Sequence, residues 1–335
     1  MTTPSLAALK RTWPDCLIDT VSAPCATEVF SASPEVRHAY SMQRNVASMR
    51  TLLRAVRARR YDLLIDYHAS PRTFWISALS GIPVRLSHDR KRINWRSLAY
   101  NVHGREVGSY SAAGRLDLLR PLGVAPVDLT PRFPVNARAR CEAEKFLTGT
   151  GIPASTPLVA ISSSSRHETQ VWPRECWKLL VIELNRRWGI RCIAVAPPGD
   201  PQRIAELEQE TGGLLKVAAP SNLAFLAAIL ARADALVCDC SAPRHFAVSQ
   251  GTPSLTIIGG SMAGVWKHPS DMHQEIFSDL PCRPCAATTC RLGDVPCMSR
   301  LSVEKVLSSF ADLRACIAAT EIVPEKQLAG LPSSG

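Results

Sequence analysis

The sequence predicts an α/β protein of two domains built on parallel, doubly wound sheets, and three observations carry that expectation. Apolar segments of strand length alternate with amphipathic segments of helical period along most of the chain. Glycine and proline punctuate these segments at their ends. The 335 residues suffice for two ordinary domains, each with its own core. A 46% hydrophobic and 20% charged composition excludes a disordered chain. No apolar run approaches the roughly 18 residues that cross a bilayer. The start, MTTPSLAALKRTWPD, lacks a signal-peptide pattern, so a cytoplasmic protein is expected.

Taken in order, residues 43–59 place Val46, Met49, Leu53 and Val56 at helical spacing with arginines opposite. YDLLID (61–66) reads as a short buried strand, and 72–79 as a helix stopped by Gly81 and Pro83. The proline-rich stretch 121–135 breaks the pattern and marks a linker. Beyond it the alternation is cleaner. Strand 157–162 leads through a serine loop to a helix opening at Pro173. Strand 191–196, helix 200–211, helix 222–232, strand 234–238, helix 241–250 and strand 254–258 follow. Such alternation places ligands at the carboxyl ends of the strands, here Ser162–Arg166, Ala196–Asp200, Asp239–His245 and Gly259–Gly264. The domains expected are 1–135 and 136–318, with 319–335 as a loose tail.

The formal charge of +10 calls for an anionic partner. Its excess collects early, in Arg44, Arg50, Arg54, Arg57, Arg59, Arg60, Arg85, Arg90, Lys91, Arg92 and Arg96. An anionic membrane face or a phosphorylated acceptor suits it. Nucleic acid does not, because aromatic content is only 6% and no nucleic-acid-binding motif accompanies the charge.

Three local patterns carry chemistry. Ser162–Ser165 lie between a strand and a helix start, where hydroxyls and free N–H groups suit a phosphate; a plain polar loop is the alternative. DCSAPRH (239–245) opens a helix in a second such place, and His245 is either a site residue or an ordinary helix histidine. Cys282, Cys285, Cys290 and Cys297 are compact enough in sequence to bind a structural zinc or iron, or to form a loop of reduced or disulfide-linked thiols. Cysteines 16, 25, 141, 176, 192, 238 and 316 read as core.

These landmarks occur in a telling order: YDLLIDYHASPRTFWISALSGIPVR (61–85), the serine loop with TQVWP (169–173), APPGD (196–200), CDCSAPRHFAVSQGTPSLTIIGG (238–260) and DLPCRPCAATTCRLGDVPCM (279–298). Their order and spacing resemble glycosyltransferase family 9, the ADP-heptose:lipopolysaccharide heptosyltransferases, over about residues 2–318. The resemblance implies a GT-B fold, two Rossmann-like domains facing across a cleft. It also implies inverting transfer of heptose from ADP-heptose to a lipopolysaccharide inner-core acceptor, with no metal required, at the cytoplasmic face of the inner membrane. By the same resemblance Ser164, Ser165, Gln170, Asp200, Asp239, Cys240, Ser241, Ala242 and His245 fall on the donor side. Asp66, His68 and Arg72 fall on the acceptor side, His68 as a candidate base. Related enzymes carry a similar cysteine-rich loop, in one branch with iron.

The chain departs from the family pattern in three places. The family's first strand and its Gly-Asp turn, whose aspartate resembles the catalytic base, would precede Met1, so the first strand of the N-terminal domain is expected to be missing and apolar strand edges exposed. Gln170 stands where a phosphate-facing lysine is usual, and Cys240 where an acid is usual, with Asp239 one residue early. Two further functions therefore stand beside heptosyl transfer to lipopolysaccharide. One is a catalytically inactive or truncated paralogue that binds a sugar nucleotide or partner. The other is heptosyl transfer to a protein, as in the autotransporter branch.

Overall fold

A computed structural model describes residues 1–88, 95–126, 128–195, 201–219 and 222–321. Asp200, Arg90, Lys91, Arg92 and the segment from 322 onward lie outside the described residues. The chain divides into two compact units, Met1–Pro134 and Val135–Gly335.

The first unit runs α1 (Thr3–Thr12), β1 (Ile18–Ser22), α2 (Pro24–Ser31), β2 (Val36–Ser41), α3 (Val46–Arg59), β3 (Leu63–Asp66), α4 (Pro71–Leu79) and β4 (Val84–His88). A 3₁₀ turn at Trp95–Ala99, β5 (Val102–Gly104) and α5 (Ser111–Asp117) complete it. Local chemistry sets the boundaries. Asn45 caps α3 by accepting from the Ser48 N–H at 2.8 Å, and Arg60 ends it with a left-handed φ of 50°. The buried stripe of α3 is Leu52 and Val56 with Met49 beside it, whereas Val46 is 58% exposed. Ser70 and Thr73 form a reciprocal capping box at the start of α4, with Pro71 in its first turn.

The five strands of this unit are parallel but lie in two sheets, β1–β2 and β3–β4–β5. Among the described residues β1 and β3 each pair on one side only. Helix α1 links the pieces through apolar packing. Its Ala8 and Leu9 share a cluster with Leu86, Leu116 and Leu119, against which Ile18 of β1 and Ile65 of β3 pack. One carboxylate adds a polar link. Asp19 accepts from Arg37 at 2.8 and 2.9 Å and from the Tyr61 hydroxyl, with Arg59 at 3.9 Å.

The second unit runs α6 (Ala137–Gly149), β6 (Leu158–Ser162), α7 (Arg174–Trp188), β7 (Arg191–Val195), α8 (Pro201–Glu210), β8 (Leu215–Ala218) and α9 (Leu223–Arg232). It continues with β9 (Ala235–Asp239), α10 (Pro243–Gln250), β10 (Ser254–Ile257), β11 (His273–Ile276), α11 (Pro296–Ser299) and α12 (Val303–Glu321). All six strands are parallel, in the order β11-β10-β9-β6-β7-β8. Every residue of β6, β9 and β10 is buried, which is why they read as continuous apolar runs: a parallel sheet covered on both faces has no wet side. Trp172, Trp177, Leu180, Leu184 and Phe310 fill the core over one face.

Of the cysteines read as core, Cys192 and Cys238 are buried, but Cys25 and Cys141 are exposed. They occupy helices with one wet face, where a strand-or-helix assignment does not imply burial. No helix among the described residues is long and apolar enough to cross a membrane.

Because ladder bonds on one side alone protect a strand poorly, the amides of β1 and β3 should exchange with deuterium orders of magnitude faster than those of β6 and β9. Exchange followed by mass spectrometry reads this directly. Equal protection of the two pairs would show that the smaller unit opens only with the whole molecule.

Candidate functional site

Strand order reverses between β6 and β9, since β7 and β8 lie to one side and β10 and β11 to the other. At such a switch point the loops leaving two neighbouring strands part and open a crevice at their carboxyl ends. Here those loops start at Ser162 and Asp239. Ser164 and Ser165 are half-buried, and the Ser165 hydroxyl donates to the Cys240 carbonyl at 3.4 Å, tying the two loops together. Ser241 turns its hydroxyl back onto the Asp239 carbonyl at 3.2 Å. The α10 helix then opens at Pro243 after an exposed Ala242, with no side chain capping it. Pro243 has no N–H and the His245 N–H donates to the Ala242 carbonyl at 3.0 Å, which leaves the Arg244 N–H of the first turn for an anion or water. On the α7 side a cavity of about 450 Å³ is lined by Ser165, Glu168, Val171, Trp172, Asp294 and Met298, among others.

Asp239 is 0% exposed, and its Oδ1 accepts from the Trp172 N–H at 3.2 Å, which holds the 168–172 segment. Gln170 is 7% exposed. Its Nε2 donates to the Ser261 hydroxyl at 2.5 Å, while its Oε1 is buried with no protein partner. Nδ1 of His245 is likewise buried and unpartnered, and its ring meets Trp266 edge-on at 5.8 Å. Burial pushes the His245 imidazole down to about 3, helped by the Arg244 charge beside it. Burial pushes the Cys240 thiol up, against the opposing pull of Arg244. At neutral pH both groups are therefore uncharged.

One cation at this end, Arg244, is already committed. Arg244 and Glu275 form an ion pair of 2.7 Å with side chains 4% and 5% exposed. Arg244 also donates to Cys240 Sγ at 3.7 Å, and Glu275 accepts from the Gly264 N–H at 2.8 Å. This pair orders both the 240–244 turn and the 259–264 loop. Sequence reasoning missed Arg244, Glu275, Ser261 and Trp266. An arginine in the first turn of a helix, against the helix dipole, was the available signal for the first.

Among the described residues no three His, Cys, Asp or Glu side chains are placed to hold a metal ion. Cys297 is buried with its thiol 4.0 Å from the Thr169 carbonyl, whereas Cys282 and Cys285 are exposed and Cys290 is half-buried. All twelve cysteines are free thiols. The loop is held by backbone instead. Cys285 and Ala286 donate to the Gly260 carbonyl at 3.1 and 2.8 Å, Arg283 donates to that of Gly259 at 2.6 Å, and Thr169 donates to that of Ala287 at 2.6 Å.

In the first unit Asp66 is 6% exposed. Its Oδ1 accepts from the N–H groups of His68 and Ala69, each at 2.9 Å, and its Oδ2 accepts from Tyr100 at 2.5 Å. That arrangement holds Ala69 at a φ of 47° and presents His68 on the exposed bend between β3 and α4. Arg72, half-buried, follows in the first turn of α4.

The profile of glycosyltransferase family 9 (heptosyltransferase) matches residues 49–295. The chain belongs to this family. A lipopolysaccharide heptosyltransferase 3 of Escherichia coli is 23% identical over 283 residues, covering 80% of this chain and 82% of that protein. The fold matches a family 9 glycosyl transferase from Veillonella parvula with a TM-score of 0.78 at 19% identity, over 93% of this chain and 92% of that one. It also matches the E. coli heptosyltransferase WaaC, solved with ADP-2-deoxy-2-fluoro heptose, with a TM-score of 0.70 at 18% identity over 93% and 94%. This family 9 chain therefore has the GT-B fold and a glycosyltransferase's framework.

His245 and His273, the latter pushed down to about 4 chiefly by burial, make acid stability a test of this geometry. Below the ordinary value of about 6.5 the unfolded chain takes up protons that the folded chain refuses, so stability falls as pH drops from about 6.5 toward these values. The slope approaches 1.4 kcal/mol per pH unit for each histidine. Urea melts at several pH values should show His245→Asn losing one histidine's share of that slope, and an unchanged slope would contradict the burial of this ring.

Proposed function

We propose that this chain transfers heptose from ADP-heptose to a lipopolysaccharide inner-core acceptor, with inversion at the anomeric carbon. The second unit (136–318) takes the donor and the first (1–135) the acceptor. The observation that carries this reading is the switch-point crevice, where Gln170 Oε1 and His245 Nδ1 are buried without a protein partner beside an uncapped α10. Buried polar atoms are normally satisfied, and a nucleotide sugar supplies the missing partners. Its diphosphate accepts from the Arg244 N–H and the Ser164 hydroxyl, and its sugar hydroxyls donate to Gln170 Oε1.

In the reaction the acceptor hydroxyl gives its proton to a general base, for which His68 is the candidate. Its oxygen bonds to the anomeric carbon as the bond to the diphosphate oxygen breaks, and ADP departs with the electron pair. No metal takes part. The basic first unit faces a phosphorylated glycolipid at the cytoplasmic side of the inner membrane, and transfer to a protein acceptor is the variant that acceptor assays separate from it.

A second reading, a paralogue that binds the donor without turnover, is favoured by the neutral character of the site. Gln170 and the protonated Cys240 thiol supply no charge, and Arg244 is held by Glu275. A lost cation at a leaving diphosphate weakens transition-state stabilisation by roughly 3 kcal/mol.

ADP-heptose at about 100 times its Kd should stabilise the chain by roughly 2.7 kcal/mol, a thermal shift of several degrees. UDP-glucose and GDP-mannose should give none. A cooperative melt unmoved by every nucleotide sugar would sink the donor reading. Turnover that rises tenfold or so in Gln170→Lys supports transfer, and a donor shift with no turnover in either form establishes the binding paralogue.

A further inference from the structure

We propose that the exposed aromatic face of α4 and the 95–99 turn docks onto an anionic lipid bilayer. This deepens the glycolipid-acceptor reading, on which it rests for its purpose, by naming the surface that meets the membrane. Trp75 is 49% exposed and Trp95 52%. Both rings pack edge-on against Phe74, at 5.1 and 4.6 Å between centroids, and Phe74 is 8% exposed, so one buried ring anchors two surface indoles. Leu79, 43% exposed, lies one helical turn beyond Trp75 on the same face of α4. Leu98, 79% exposed, lies three residues after Trp95, on the same side of a 3₁₀ turn. The platform is firmly placed, since Arg96 donates to the Ala69 carbonyl at 3.2 Å and Tyr100 to Asp66 at 2.5 Å.

Charge selects the partner. The elements α3, α4, β4 and the 95–99 turn contain no aspartate or glutamate, yet carry Arg50, Arg54, Arg57, Arg59, Arg72, Arg85 and Arg96. Two of these border the apolar face. Arg57 donates to the Leu79 carbonyl at 2.7 Å, and the Arg96 guanidinium lies 5.8 Å from the Trp95 ring centre. Indoles and leucines enter the headgroup–acyl boundary while arginines meet anionic headgroups. Single-stranded nucleic acid would use the indoles for stacking but would leave the two leucines without a role.

The test is cosedimentation of the full chain with vesicles of phosphatidylcholine containing about 30 mol% phosphatidylglycerol, against pure phosphatidylcholine, at near-physiological salt. Binding to the anionic vesicles alone, with a blue shift of tryptophan emission, is expected. Leu79→Ser/Leu98→Ser should weaken it by tenfold or more, Leu98→Ser alone should weaken it partly without risk to folding, and Leu292→Ser in the other unit should leave it unchanged. No binding to anionic vesicles, undiminished binding by the double variant, or displacement by oligouridylate would overturn the proposal. The donor thermal shift separates the two readings. A shift without vesicle binding removes the docking face and leaves the donor site standing, and vesicle binding without a shift does the reverse.

Discussion

The ligand end of the larger unit depends on where one carbonyl sits. The Thr169 oxygen accepts from the Gly260 N–H at 3.0 Å and lies 1.8 Å from where a side chain on Gly259 would begin. Only glycine at 259 lets the two backbones approach so closely. From this contact the 168–172 segment, the end of β10 and the cysteine-rich loop are held as one piece, because Gly260 in turn accepts from Cys285 and Ala286. Gln170 and Ser261 meet as a result, and Trp172 is carried into the core, where its indole N–H donates to Leu301 at 3.0 Å. Side-chain chemistry at the crevice is built on this backbone seam.

The sequence exposes the seam only indirectly. Buried central strands such as β6, β9 and β10 are legible because their apolar runs are continuous, and the helices beside them because of period and punctuation. The edge strands β1 and β11 are not. IDTVS in β1 and HQEI in β11 carry polar residues and run for only four or five positions, too few to distinguish alternation from a turn. At the candidate site the serine loop is placed between strand and helix by the sequence, whereas Gln170 is singled out only through the family resemblance. What their side chains do is not legible in the sequence. Asp66 and Asp239 looked available in sequence, yet each is enclosed by hydrogen-bond donors many residues away or around a bend. The quartet of cysteines is close in sequence, but Cys297 sits on a helical turn facing the core while its companions ride an exposed loop.

Two levels of organisation thus separate in this chain. The framework, with its parallel sheet and reversal of strand order, is that of a family 9 chain. The charges lining it are not arranged for a dianion in the most direct way, since the buried arginine neutralises Glu275 rather than facing outward. In an enclosed polar environment an amide and backbone N–H groups still orient a phosphate, but they leave its charge in place.

The other unit has a different consequence for the molecule's lifetime. Its β1–α2–β2 portion includes a helix that fully buries no residue, and its polar links to the rest include the Asp19 carboxylate with Tyr61 and Arg59 and Glu35 with Arg132. Such a segment opens for far less free energy than the six-stranded sheet. A protease that captures the open form sees residues 18–41 long before the remainder of the chain unravels. Proteolytic susceptibility then follows the local opening of this segment rather than the melting of the whole chain.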